Sequence, residues 1–300
     1  DTSSEPTTTA RVPTLCPKTW TWFYTTGELQ NHVHVFGHRV GTRAVVVGSE
    51  LVSWSAVLTL RHAGARTVLM ASPRPAPDTY AAVSLAGRIA FGVPVAAATT
   101  VERVIGKGRV EGVEVLDHAT GRTRVVACDC VVFTADWIPD NELAVQLGLE
   151  LQPRSLAPLV DTALRTGLPG VFAAGNLLHP VDTADNAALD GRHVAASVRA
   201  WLAGREQPPS GVQLRARAPL TWIAPGVVRP GDPAPVGRRL SAWTSEYRRF
   251  PTLEASQDGR VVGRVRTPWP AAPGRVFRIP FALFDGVEHG GPPVEVGFVD

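Results

Sequence analysis

The residues best placed to do chemistry are glycines and small polar residues set beside apolar runs. Leu168-Pro-Gly-Val-Phe-Ala-Ala-Gly-Asn176 reads as a short apolar strand ending in a glycine-plus-polar turn. Thr183-Ala-Asp-Asn-Ala-Ala-Leu-Asp-Gly191 then opens a small-residue helix, expected from about Thr183 to Trp201. Glycine lets a ligand approach bare backbone, and the free N–H groups and positive end of a helix favour a phosphate. Gly175, Asn176, Thr183 and Ala184 are therefore candidate contacts to a dinucleotide.

A second candidate follows the apolar run Arg43-Ala-Val-Val-Val47. In a Gly-x-Gly-x-x-Gly loop the first glycine turns the chain, the second admits a pyrophosphate, and the third lets helix pack on strand. Here the register reads Gly48-Ser-Glu50-Leu-Val-Ser53. Gly48 and Ser49 suit the turn, and Ser53 is small enough for the packing position. Glu50 puts bulk and negative charge where a diphosphate would lie. The acidic residue that usually holds a ribose after the second strand is replaced by Ala71-Ser-Pro-Arg74. The loop argues for a dinucleotide-type scaffold with an altered site.

Other groups carry less. Asp136 and Trp137 could sit near a cofactor ring, or could form a turn whose indole fills a junction. His32, His34 and His38 lack the further ligands that a zinc site needs, and no metal is expected. Cys128 and Cys130, two apart on an expected strand, would share a face and cannot readily bridge each other. With no C-x-x-C pair, dithiol chemistry is not expected and a reducing, cytoplasmic setting fits best. No nucleophile triad or paired carboxylate stands out, so no catalytic residue is named.

The elements that must position these residues form an α/β pattern: a Rossmann-like fold, with a parallel sheet, helices and a three-stranded antiparallel meander, then a small all-β module. Arg43–Val47 and Thr67–Met70 read as buried strands around a helix from Glu50 to Ala63, and a second helix is expected from about Asp78 to Arg88. Valines alternating with polar residues over 98–134, with glycine turns at Gly106-Lys-Gly108 and Ala119-Thr-Gly121, form the meander. A strand at Cys130–Thr134 and a helix near Asn141–Leu147 follow. The expected division is 1–41 as lead-in and connector, 42–128 as a nicotinamide-type Rossmann domain, 129–204 as the returning part of a second dinucleotide domain, and 209–300 as the β-rich module.

Composition sets the outer limits. The 300 residues are 44% hydrophobic and 19% charged, with a formal charge of +3. Arginines are scattered without interleaved aromatics, so nucleic acid is not an expected partner. No apolar run is long enough to span a membrane. The chain begins Asp-Thr-Ser-Ser with no initiator Met and no signal-type segment, which reads as a fragment.

Taken together, Tyr24-Thr-Thr-Gly-Glu-Leu-Gln30, Arg43-Ala-Val-Val-Val-Gly48, Phe133-Thr-Ala-Asp-Trp-Ile-Pro-Asp140 and Gly170-Val-Phe-Ala-Ala-Gly-Asn176 resemble the pyridine nucleotide-disulfide oxidoreductase superfamily. The resemblance is nearest to the branch of dye-linked amino-acid dehydrogenase and hydrogen cyanide synthase subunits, which lack the redox cysteine pair. It implies an FAD-dependent oxidoreductase, or a fragment or subunit of one, that passes hydride or electrons between flavin and a small organic substrate such as an amine or amino acid. Gly175, Asn176 and the helix start near Ala184 become flavin-side positions, and Gly48 and Ser49 nucleotide-side ones. The family's usual aspartate at Asn176 binds ribityl hydroxyls; asparagine keeps the hydrogen bonding and loses the charge. FAD is expected in the full-length protein, and NAD(P) is not. The family's opening FAD-binding unit has no counterpart before Arg43. The alternative is a non-catalytic scaffold or partner subunit that keeps the fold for assembly.

Overall fold

The computed structural model describes residues 22–75, 79, 81–134, 139–179, 182–205 and 211–299. The chain divides into two compact units, Asp1–Asp136 and Trp137–Asp300.

In the first unit the elements run β1 (Phe23–Thr25), α1 (Thr26–Gln30), a π-helical turn (Asn31–Val35), β2 (Arg43–Val47), α2 (Leu51–His62), β3 (Arg66–Ala71), α3 (Ala81–Phe91) and β4 (Val95–Ala96). Then come β5 (Thr99–Gly106), β6 (Val110–Asp117), β7 (Arg122–Ala127) and β8 (Cys130–Phe133). Five strands form a parallel sheet in the order β1-β8-β2-β3-β4, and β5-β6-β7 form the expected antiparallel meander. Alternation along β2 builds two cores. Ala44 and Val46 pack with Trp54, Val57 and Leu60 of α2, whereas Val45 joins Val113, Val115 and Val126 of the meander. Both faces of the sheet are covered, which is why its strands read as unbroken apolar runs.

Three expectations for this unit change. Residues 22–41 are more than a connector: Phe23–Thr25 extends the sheet beside β8, and Thr25 with Glu28 forms a reciprocal capping box that starts α1. The expected division at 128/129 falls just before β8, which hydrogen-bonds between β1 and β2 and so belongs to this sheet. Cys128 and Cys130 do not share a face. The chain bends at Asp129, between β7 and β8, so Cys128 enters the meander core and Cys130 the α2 core. Both are free, buried thiols. Burial pushes Cys128 up to about 11, and Cys130 higher still, so both remain protonated at neutral pH. Asp78, where α3 was expected to begin, lies outside the described residues.

In the second unit α4 (Glu142–Gln146) and α5 (Ala184–Leu202) precede β9 (Val212–Ala216), β10 (Leu220–Ala224), β11 (Val227–Val228), β12 (Arg239–Thr244), β13 (Thr252–Gln257), β14 (Arg260–Arg266), β15 (Phe277–Pro280) and β16 (Val294–Val299). The β-rich module is two sheets, β10-β12-β15 and β11-β9-β16-β13-β14. They close over one core in which Leu240, Leu253, Phe277 and Val294 are buried. The expected strand over 170–175 is absent. Gly170 and Gly175 adopt positive φ, and only an isolated bridge joins Phe172 to Arg165. The indole of Trp201 fills the space where a Gly170 side chain would stand. A short 3₁₀ turn, Gly175–Leu177, ends the segment.

Candidate functional site

At the end of β2, Gly48 adopts φ +124° and donates its N–H to Ala71 O at 2.8 Å. A Cβ at this position would come within 2.0 Å of Thr134 Oγ1 and 2.7 Å of Glu50 Oε2, so only glycine fits. Glu50 is the N-cap of α2, with extended backbone, and is buried. Its side chain turns back into the loop. Oε2 accepts hydrogen bonds from Ser53 Oγ at 3.0 Å and Thr134 Oγ1 at 3.1 Å, and the two hydroxyls lie 2.7 Å apart. A carboxylate held at a helix N-terminus gains from the helix dipole, as a bound phosphate would. After β3, the buried Ser72 stands where an acidic ribose ligand would be needed.

A nicotinamide dinucleotide therefore does not fit this loop. A diphosphate would have to displace a buried carboxylate from two hydroxyls and then tolerate its charge.

In the second unit Gly175, at φ +71°, donates its N–H to Asp190 Oδ2 at 3.1 Å. Asn176 follows with its side chain exposed. Thr183 is the N-cap of α5, which begins at Ala184. The N-terminus of α5 already carries two carboxylates. Asp182 accepts the N–H of Thr183 and the amide of Asn186, each at 2.9 Å, and pairs with Arg278 Nη2 at 2.5 Å. Asp185 is held below the usual carboxylate range by hydrogen bonds from the Thr183 hydroxyl and from nearby backbone N–H groups. The phosphate expected at this helix end is thus disfavoured by like charge. The exposed amide of Asn176 and hydroxyl of Thr183 suit neutral polyol oxygens, so the ribityl part of a flavin fits this turn.

Asp136 and Trp137 lie outside the described residues. Among the histidines, His32 and His38 meet ring to ring, with Nδ1 atoms 3.3 Å apart, while His34 faces Thr59 and His62. Among the described residues no three or more His, Cys, Asp or Glu side chains converge as a metal site.

The structure adds a cluster that sequence reading missed. His179 is buried, with Nε2 2.6 Å from Asp190 Oδ2 and Nδ1 3.5 Å from Asp182 Oδ2. The signal for it was Asp190, an acid on the small-residue helix that packs inward while Leu189 and Leu202 stay exposed. Arg278, far along the chain, gave no local signal.

A profile of the family described as Pyridine nucleotide-disulphide oxidoreductase matches residues 20–191. The chain belongs to this family. Its members and homologues are flavin-dependent oxidoreductases. Thioredoxin reductase from Treponema pallidum (strain Nichols) is 35% identical over 104 residues, which is 33% of this chain and 33% of that protein. The chain thus matches about a third of that relative's length. Among solved structures, T. acidophilum thioredoxin reductase superposes with a TM-score of 0.53 at 21% identity, over 62% of this chain and 59% of that one. Lactococcus lactis thioredoxin reductase gives 0.52 at 16% identity, over 61% and 58%. At these identities the two structures share the oxidoreductase family's fold. No described helix is long and apolar enough to cross a membrane.

Proposed function

We propose that this chain is an FAD-dependent oxidoreductase, or a subunit or part of one, in which flavin exchanges hydride or electrons with a small organic substrate such as an amine or amino acid. The observation that carries this reading is the turn at Gly175 and Asn176 ahead of the Thr183-capped start of α5, in a chain of this family. Family membership supports flavin, and Glu50 argues that the β2–α2 loop does not deliver a nicotinamide donor. Bound FAD would supply the redox chemistry. The amide of Asn176 and hydroxyl of Thr183 would hold ribityl hydroxyls, with Gly175 and Ala184 framing the approach. Asp190 keeps the Gly175 turn in place through its N–H. In this reading 42–134 is the nicotinamide-type domain, 139–204 completes a flavin-type domain, and 211–299 is an appended module. The buried, protonated thiols of Cys128 and Cys130 support a reading without a dithiol step.

The carboxylates at both helix N-termini favour a second reading, a partner subunit that keeps the fold for assembly. Expression of the full-length gene separates the two. Denaturation of the purified protein is expected to release flavin with its characteristic absorbance. A colourless, folded full-length protein that releases none would overturn the flavin reading.

A further inference from the structure

The second unit holds an open pocket of about 440 Å³, between α5 and the turns and strands of the β10-β12-β15 sheet. This lies within the size range of small-molecule sites. One part of its wall is apolar: Leu178, Leu189, Pro235 and Val236. The acids nearby are already satisfied. Asp190, in the wall, holds His179 and the Gly175 N–H, and Asp182, beside it, holds Arg278, Asn186 and the Thr183 N–H.

Besides His179 Nδ1, which lies 3.5 Å from Asp182 and has no hydrogen-bond partner among the described residues, two groups are left open. Thr162 lines the cavity at 1% exposure, and its Oγ1 has no hydrogen-bond partner among the described residues. A buried hydroxyl left in that state is costly unless a guest completes it. Arg239 also lines the cavity, and no ion pair engages it among the described residues. Its guanidinium is 4.6 Å above the ring of Trp269, and Trp269 Nε1 is fixed by a 3.1 Å hydrogen bond to Arg278 O. The cation is therefore oriented before any ligand arrives, which lowers the cost of binding. Beside it, His193 Nε2 donates to Thr162 O at 2.7 Å, and Arg278 Nη1 donates to Ser241 Oγ at 2.5 Å.

We propose that this cavity binds a small organic carboxylate, with its acid group on Arg239, its apolar body against Leu178, Leu189 and Pro235, and a polar atom on the Thr162 hydroxyl. A guanidinium matches the planar geometry of a carboxylate, and the apolar wall sets a preference for a short hydrocarbon chain over a bare inorganic anion. The site shares Leu178 with the Asn176–Thr183 segment, but its polar contacts, Arg239 and Thr162, lie outside that segment.

Titration of the full chain with hexanoate, hexanol and hexylamine, followed by calorimetry, tests the assignment. Hexanoate is expected to bind saturably, with the alcohol and the amine at least about tenfold weaker. Arg239 is exposed, so Arg239→Gln should fold with an unchanged melting midpoint and bind hexanoate about tenfold more weakly. Val236→Trp, at the rim, should fill the cavity and abolish binding. Equal binding of the three probes, no saturable hexanoate binding by folded protein, or full affinity in either folded variant would overturn the proposal.

Discussion

Asp129 fastens two strand starts with one carboxylate. It accepts Thr42 N at 2.9 and 3.0 Å, Thr42 Oγ1 at 2.6 Å and Arg43 N at 2.7 Å, tying the entry to β2 to the entry to β8. Burial raises its proton affinity, but these donors outweigh burial and hold the group below the usual carboxylate range. A carboxyl with a lowered native value adds stability above its unfolded value, near pH 3.9, and loses it as pH falls through the native one. Asp129→Asn is therefore expected to cost about 1–2 kcal/mol at pH 7, allowing for partial exposure, and progressively less below about pH 4. Urea unfolding across that range checks it, and a penalty that persists undiminished at low pH would show that the charge is not the cause. Glu50 illustrates what was legible at this scale. Its presence in a glycine position was plain from the sequence. Its inward turn was not, because Thr134 lies 84 residues away and meets it only through the β2–β8 pairing.

At the scale of elements, the packing of α2 on α3 turns on Gly87. An added Cβ there would stand 2.3 Å from Trp54 Cζ3, in the α2 core. Alanine improves helix propensity by about 1 kcal/mol, but overpacking a core costs about 1–3 kcal/mol. Gly87→Ala is expected to lower stability by about 1 kcal/mol in chemical denaturation, and a variant more stable than the parent would refute this packing. The β2–α2–β3 unit and the meander were legible because period and glycine turns agree with burial on both sheet faces. The segment from β1 to α1 reads as a connector despite its Thr25-x-x-Glu28 signature, because β1 is three residues long and gains meaning only from its neighbour β8. The run 170–175 misled for the opposite reason. Its apolar residues serve a local cluster with Val160, Leu164 and Leu178 rather than a sheet.

For the whole molecule, four short motifs sufficed to place the chain in its family, because dinucleotide folds put glycine and polar turns at fixed points after strands. The β-rich module was legible as β and no further, since its two sheets depend on long-range pairings such as β9 with β16. The cavity beside α5 was illegible for the same reason, with walls drawn from residues 162 to 278. The central claim is that the β2–α2 loop keeps the shape of a nicotinamide site and, through Glu50, excludes the nucleotide. Fluorescence titration with NADH and NADPH, on the parent chain and on Glu50→Ala, tests it most directly. The account predicts no saturable micromolar binding by the parent, and saturable micromolar binding that persists at unchanged affinity in Glu50→Ala would contradict it.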